Sequence, residues 1–339
     1  MGQECCRYSW WLLRLRWNPP RPALKLIALL EGIAELGGNY SRSVLWATLC
    51  IIVAAGAWLR FHNLGVDSLW LDEAVSWKQS KDSLADLIRR TANDNYHPPL
   101  HNLFLYASIN LLGDGEWSLR LPSAIFGTAN ILAIYWLGSM TVGRVTGLVA
   151  SAFLALSGFH VMYSEEARMY ALFSLTATLF AASSFYFVSS PTIPRAALIS
   201  LAGLALLYSH PFGTLNWIAI VMAISLFTLT APVITRRTIA IWVGSNVIAA
   251  VGLAPWAWRM AVPIDPGAIS WMPYPSPEVI YSELTVMVGG RFMAAVLFVG
   301  VVLASLPAGY AVGADKPRSI SNSIPVFMSG RACRLYSAC

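Results

Sequence analysis

The chain has 339 residues, of which 57% are hydrophobic and only 12% are charged. A soluble globular protein is about one quarter charged, so this composition excludes the soluble classes and indicates a polytopic membrane protein. The net charge of +6 fits positively charged cytoplasmic loops, and we find no nucleic-acid motif, P-loop or dinucleotide fingerprint. We therefore expect membrane lipids as partners and no nucleic acid.

The N-terminal segment, residues 1–42, contains six basic and three acidic residues. We predict that it lies on the cytoplasmic side, because basic residues accumulate there. The first apolar run long enough to cross a membrane follows at residues 43–59. It ends at Arg60.

A large first loop is predicted over residues 60–118, and it holds eight of the chain's seventeen acidic residues. Its apolar stretch 100–112 would form a helix only about 20 Å long, which is short of the roughly 30 Å hydrocarbon core. We therefore expect this stretch and the amphipathic stretch 82–91 to be juxtamembrane helices within the loop. A loop of this size is more often functional than a simple connector.

The rest of the chain predicts seven further spans, which makes about eight in total. They are expected at residues 119–138, 145–162, 170–188, 196–209, 212–231, 238–258 and 292–312. One set of connectors carries arginines and no acid, whereas the opposite set, with the first loop, contains thirteen of the seventeen acids. The acidic set is therefore predicted to be extracytoplasmic. The transmembrane domain then covers residues 43–312, and residues 313–339 read as a short cytoplasmic tail or as the mark of a truncated chain.

Three polar clusters fall on the predicted outer face. The first is Asp72-Glu73 in the first loop, the second is residues 163–170, and the third surrounds His210. A carboxylate at a membrane surface can deprotonate an acceptor hydroxyl, and an arginine can bind a phosphate through two hydrogen bonds. Of the two adjacent acids, we expect Asp72 to be the base and Glu73 to support it, because neighbouring helical side chains point about 100° apart.

Simpler interpretations stay open for several of these residues. Glu165 or Glu166 could pair with Arg168 at a helix end, and surface pairs of this kind contribute little. His210 precedes a proline and could cap a hairpin. Trp70, Trp77 and Trp117 are more typical of an interfacial aromatic belt than of sugar-stacking platforms.

Five motifs in order carry a family resemblance: SLWLDEA, HPPLHNLFLY, EWSLRLPSAIFG, YSEEARMYAL and LYSHPFG. Together they resemble the GT-C polyprenyl-phosphate-sugar glycosyltransferases over residues 45–258, most closely the family 39 protein O-mannosyltransferases and the lipid A aminoarabinose transferases. The resemblance implies an all-α GT-C transmembrane bundle with a large first extracytoplasmic loop. It also implies that Asp72 is the catalytic base or its close partner and that His97 and Pro98 line the donor site.

The same resemblance implies that acidic and arginine groups near the second outer loop bind the donor. The candidates are Glu165, Glu166, Arg168 and Tyr170, with His210 as a further substrate-binding residue. The aminoarabinose transferases have a lysine where this chain has His97, so His97 would be a weaker and pH-dependent phosphate partner.

The predicted function is therefore a membrane glycosyltransferase that moves a mannose-like sugar from a polyprenyl phosphate to a protein, lipid or glycan acceptor, with inversion. The sequence predicts no definite cofactor and leaves a divalent metal open. The predicted location is the cell membrane, of the bacterial inner or plasma type, with the active site outside. The alternatives are a transporter or flippase for a lipid-linked sugar, which predicts broken or charged helices near the midplane, and an inactive truncated relative.

Overall fold

The computed structural model describes residues 41–94, 97–229, 235–260 and 276–287, and within these ranges all regular secondary structure is helical. The predicted N-terminal segment, apart from residues 41–42, lies outside the described residues, as do the predicted span 292–312 and the tail 313–339. The described helices are α1 Arg42–Phe61, α2 Leu71–Ser80, α3 Leu84–Asp94, α4 Leu100–Leu112, α5 Glu116–Thr141, α6 Arg144–Leu156, α7 Gly158–Ser164, α8 Tyr170–Ser189, α9 Ile193–Ser209, α10 Gly213–Leu229, α11 Arg236–Gly252, α12 Ala254–Met260 and α13 Pro277–Met287.

Three of these helices, α1, α5 and α8, are long and apolar enough to cross a membrane, and α6 with α7 becomes a fourth if the bent pair is one span. The prediction of an all-α protein with membrane-spanning helices is confirmed for the described residues. Helix α4 has the predicted bounds and thirteen residues. Helices α9 and α10 are apolar but have only seventeen residues each.

The predicted span 145–162 is not one straight helix, because α6 and α7 meet at Ser157 with a bend of 63°. Ser157 has an extended backbone, and its hydroxyl accepts a hydrogen bond from the amide of His160 at 3.3 Å, which caps α7. The predicted span 238–258 is likewise interrupted at Leu253, between α11 and α12. Pro255 lies in the first turn of α12, where its missing amide hydrogen costs least.

Helix α5 is the centre of the bundle and packs against α1, α4, α6, α7 and α8. Its approach to α6 is close at two glycines. A side chain at Gly138 would lie 2.8 Å from the Cα atom of Gly147, and one at Gly147 would lie 2.7 Å from a backbone oxygen of α5. Small residues at helix crossings allow this proximity, which is common in membrane proteins.

A second layer of helices, α8 to α11, forms its own apolar core. Its buried side chains include Phe180, Phe187, Ile199, Leu206 and Trp242. The short helices α2, α3 and α4 contact one another next to the bundle. They are joined to it through a cluster around Leu105, Leu119 and Ala167, against which Trp77 also packs. This cluster brings the segment around Asp72 to the connector between α7 and α8.

Candidate active site

A buried ion pair joins the first loop to the bundle. Arg120 on α5 donates from Nε to Oε1 of Glu73 at 2.8 Å and from Nη2 to Oε2 at 2.7 Å. The Glu73 side chain is 0% exposed, and its carboxylate also accepts from the amide of Ala167 at 2.7 Å and from that of Trp70 at 3.3 Å. Both carboxylate oxygens are therefore occupied by the protein itself. Glu73 holds three segments together, and little of its carboxylate remains to bind a substrate.

Arg120 also binds the backbone of the segment that precedes α2. Its Nη1 atom donates to the carbonyl oxygens of Leu64 and Asp67 at 3.2 and 2.8 Å, and Nη2 donates to that of Ser68 at 3.2 Å. A guanidinium shared between a carboxylate and three carbonyl groups satisfies its donors without water. The pair therefore fixes the backbone that carries Asp72.

Asp72 is the adjacent residue, yet its surroundings differ. Its side chain is 40% exposed, and Oδ2 lies 3.7 Å from Nη2 of Arg168. Arg168 also donates from Nη1 to the backbone oxygen of Asp72 at 3.3 Å and to Oγ of Ser76 at 3.2 Å. The Arg168 side chain is only 10% exposed, and its buried Nε has no hydrogen-bond partner in the described part of the chain. Arg168 therefore retains a donor that a bound anion could use.

The connector between α7 and α8 contains the two predicted glutamates, and they lie in different electrostatic surroundings. Burial raises the pKa of Glu165, and the charges that oppose this rise most strongly are those of His62 and Arg60. Burial raises the pKa of Glu166 to about 7, with Glu73 adding to the rise and Arg168 opposing it. Glu166 therefore belongs to the group around Asp72, and Glu165 lies toward the end of α1.

The sequence leaves open an ion pair between Arg168 and either Glu165 or Glu166, but the structure describes a different ion pair for this arginine. That pair joins Arg168 to Asp72. The Oε2 atom of Glu166 is instead buried without a hydrogen-bond partner among the described residues.

His210 and Tyr170 continue the site on its other side. The guanidinium of Arg168 lies 5.9 Å from the centre of the Tyr170 ring, and the Tyr170 ring lies 5.9 Å from that of His210. The Nδ1 atom of His210 accepts a hydrogen bond from the amide of Phe212 at 3.0 Å, and this contact supports the interpretation that His210 caps the hairpin. Burial, together with the smaller effects of the charges of His97 and Arg168, lowers the pKa of His210 to about 4. The His210 ring is therefore neutral at pH 7, and its Nε2 carries the hydrogen.

His97 and Pro98 lie just before α4, where Pro98 is buried and His97 is half-buried. The charge of His97 acts on His210 and on His101, one turn further along, which places all three imidazoles in one neighbourhood. His101 is buried inside α4, and burial lowers its pKa to about 3. The structure thus brings six of the predicted residues into one region: Asp72, Glu166, Arg168, Tyr170, His97 and His210. Glu73 is buried next to this region, and Glu165 lies nearer to the end of α1.

Arg60 is a further buried cation, and it directly follows the first predicted span. It is fully buried and donates to the backbone oxygens of Leu154 and Ala155, both at 3.1 Å. These carbonyls belong to the last turn of α6, where the helix break leaves them without partners. Arg60 also contacts Nδ1 of His160 at 2.9 Å and donates to Oγ of Ser164 at 3.3 Å, the last residue before the Glu165–Arg168 connector.

The sequence pattern predicts no role for Arg60, Arg120, Ser76 or His101. A signal existed for the two arginines, since each is a lone cation at the end of an apolar run. Within the described ranges, no group of three or more His, Cys, Asp or Glu side chains could hold a metal ion.

Comparison with known proteins identifies a family for the central part of the chain. Residues 96–258, slightly less than half of the 339 residues, match the dolichyl-phosphate-mannose-protein mannosyltransferase family. The matched range includes His97, Pro98, Glu165, Glu166, Arg168, Tyr170 and His210, and it begins after Asp72 and Glu73. No curated protein and no solved structure gives a significant match. Over residues 96–258 the chain is therefore similar to the dolichyl-phosphate-mannose-protein mannosyltransferase family, a family of GT-C membrane glycosyltransferases, as its motifs predicted.

Proposed function

We propose that this site transfers a mannose-like sugar from a polyprenyl-phosphate donor to a hydroxyl group of a protein, lipid or glycan acceptor. One observation carries the proposal. Asp72 has an accessible carboxylate beside Arg168, whose Nε is buried and unpartnered, whereas the carboxylate of the neighbouring Glu73 is fully occupied. An accessible base beside an anion-binding group is what transfer from a sugar phosphate to a hydroxyl requires.

In this proposal the guanidinium of Arg168 binds the donor phosphate, with His97 and Pro98 beside it. Asp72 removes the proton from the acceptor hydroxyl as the hydroxyl oxygen attacks the anomeric carbon of the sugar. The bond from that carbon to the phosphate oxygen breaks, and its electron pair leaves with the lipid phosphate. One displacement of this kind inverts the anomeric centre. Tyr170 and the neutral His210 contact the sugar or the phosphate as hydrogen-bond donors.

We further propose that the site faces the outside of the cell membrane. The support is the charge bias, since the predicted outer connectors hold thirteen of the seventeen acidic residues and the opposite connectors hold arginines without acids. A site on that face meets lipid-linked sugars, because soluble nucleotide sugars are made on the other side.

A transporter for a lipid-linked sugar is the second candidate, because one observation favours it. The α6–α7 span is broken, and Arg60 and His160 lie at the break, as in transporters with discontinuous helices. In those transporters the free ends of the half-helices bind the transported ion. Here the guanidinium of Arg60 already donates hydrogen bonds to the carbonyl groups at the end of α6, so the protein's own cation takes the place that a transported ion would have.

The test uses the purified protein in liposomes with polyprenyl-phosphate mannose, the same lipid bearing other sugars, and a soluble nucleotide sugar. We expect transfer from a polyprenyl-phosphate donor, measured by mass spectrometry as released polyprenyl phosphate together with glycosylated acceptor. Movement of the intact donor between leaflets without its cleavage would favour the transporter. Transfer from the nucleotide sugar alone would contradict the proposed donor class.

A further inference from the structure

We propose that Glu166 is the general acid of this reaction, which gives its proton to the phosphate oxygen that leaves the sugar. This inference rests on the proposed function and adds a second catalytic carboxyl group to it. It also assigns Glu166 a different task from Glu165, its neighbour in the chain.

Several charged groups surround Glu166. Three carboxyl groups and two arginines share this region, and the structure describes an ion pair from Arg120 to Glu73 and another from Arg168 to Asp72. Neither of these pairs includes Glu166, whose Oε2 is buried and has no hydrogen-bond partner in the described part of the chain. An ionised oxygen in that position would lose its hydration without a compensating hydrogen bond, which strongly disfavours the charged form. The neutral acid avoids this cost.

The charged groups around Glu166 lead to the same conclusion. Burial is the main reason that the pKa of Glu166 rises to about 7. The negative charges of Glu73 and Asp72 contribute to this rise, and the charges of Arg168 and Arg120 oppose it. The charges of Arg168 and His97 both act on the imidazoles of His101 and His210, and burial lowers the pKa of these two imidazoles enough to keep them neutral at pH 7. A carboxyl group with a pKa near the working pH holds its proton and still releases it readily, as a general acid must.

The position of Glu166 fits this role, because it precedes Arg168, the proposed phosphate-binding residue, by two positions on the same short connector. When the bond from the anomeric carbon to the phosphate oxygen breaks, the lipid phosphate gains a second negative charge. A proton from Glu166 cancels that charge as it develops.

The proton balance closes over one cycle. Asp72 gains the proton of the acceptor hydroxyl, and Glu166 loses its own to the leaving phosphate. After release of the lipid phosphate, Asp72 returns a proton to Glu166 directly or through water, and both carboxyl groups regain their starting states. The net result is that the proton of the acceptor hydroxyl leaves on the lipid phosphate, without any further reactant.

The direct test compares two synthetic donors with the same sugar and lipid but leaving groups of different acidity. In one donor a methylene group replaces the oxygen between phosphorus and the lipid, and in the other a difluoromethylene group of nearly the same shape does so. Both donors keep the oxygen between phosphorus and the anomeric carbon, and the difluoromethylene phosphonate is the more acidic leaving group. We expect Glu166→Gln to slow transfer from the methylene donor by about 10² or more, the usual range for loss of a general acid. The loss with the difluoromethylene donor is expected to be less than about tenfold, because a good leaving group needs little protonation.

Glu116→Gln is the matched control, because Glu116 is exposed in the first turn of α5 and lies outside the site. It should leave both rates unchanged. An equal loss for both donors in Glu166→Gln would overturn the assignment and leave the proposed function standing. If the wild-type protein transfers sugar from neither donor nor from the natural lipid phosphate, the proposed function fails and the assignment fails with it.

Two further readouts distinguish an acid from a structural residue. The rate at low donor concentration in the wild-type protein should fall as pH rises through about 7, the range in which Glu166 loses its proton, and this fall should be absent in Glu166→Gln. Infrared spectra should contain a protonated-carboxyl band that titrates over the same range and disappears in Glu166→Gln but not in Glu116→Gln. Absence of such a band from the wild-type protein would overturn the assignment without any activity measurement.

Discussion

Two arginine–carboxylate pairs lie side by side in this protein and differ in almost every physical respect. The pair of Arg120 and Glu73 is bidentate and buried, and the Glu73 carboxylate accepts two further amide hydrogen bonds. The pair of Arg168 and Asp72 has one contact at 3.7 Å and a carboxylate that is 40% exposed. The difference indicates that the saturated ion pair stabilises the fold, whereas the unsaturated pair next to it leaves polar groups that the proposed substrate could contact.

Breaking the saturated pair should give the largest effect, and the effect should be on folding. Glu73→Gln leaves the guanidinium of Arg120 buried without its counter-charge, which typically costs about 3–5 kcal/mol. We expect a strong loss of thermal stability in detergent, measured by tryptophan fluorescence or by the fraction that remains monodisperse after heating. The double variant Glu73→Leu with Arg120→Met removes both charges and should recover part of that loss. No recovery would mean that the two residues are not coupled as a pair.

Changing the unsaturated pair should affect donor binding rather than folding. Arg168→Ala removes the charge and the planar fork that suit a phosphate, so donor affinity should fall by about tenfold to 150-fold, the equivalent of about 1.5–3 kcal/mol. Arg168→Lys keeps the charge but loses the bidentate geometry and should lie between the wild type and Arg168→Ala. The measurement is equilibrium binding of a fluorescent polyprenyl-phosphate sugar. Wild-type affinity in Arg168→Ala would show that this arginine only pairs with Asp72.

The smallest effect is expected at Ser76, which contributes one of the protein's own contacts to Arg168. Ser76→Ala removes the hydrogen bond from Arg168 Nη1 to the serine hydroxyl but leaves both charges in place. Only one contact is lost and the guanidinium keeps its charge, so we expect a change in donor affinity within about tenfold, the equivalent of about 1.4 kcal/mol. If Arg168 binds the donor phosphate as proposed, the serine competes with the phosphate for the guanidinium, so the change should be toward tighter binding. Weaker binding would indicate that Ser76 positions Arg168 for the phosphate.

The sequence was informative wherever a residue's role depends on its own segment. Asp72 and Arg168 stand out because each is a charged residue in a short polar stretch between apolar runs, and the structure places them in one ion pair. Their roles in the reaction stay predictions. Helix α4 could be predicted because its thirteen apolar residues are too few to cross a membrane.

The role of Glu73 could not be predicted in the same way, because its partner Arg120 lies 47 residues further along the chain. Only the packing of α2 against α5 and the α7–α8 connector shows that one of two adjacent acids is saturated. The break at Ser157 is a similar case. Its local signal, Ser157-Gly158 inside an apolar run, is weak, and the break is stabilised by Arg60 from a different helix.

The central claim is that Asp72 is the base, and Asp72→Asn tests it most directly. Asparagine keeps the shape of the side chain and loses the negative charge, so the donor should still bind while transfer stops. The measurement is transfer of labelled sugar from a polyprenyl phosphate to the acceptor, made beside a binding assay on the same preparation. We predict a rate lower by about 10²–10⁴ with donor affinity within about threefold of the wild type. Transfer at the wild-type rate in Asp72→Asn would contradict the account and would move the base to another carboxyl group.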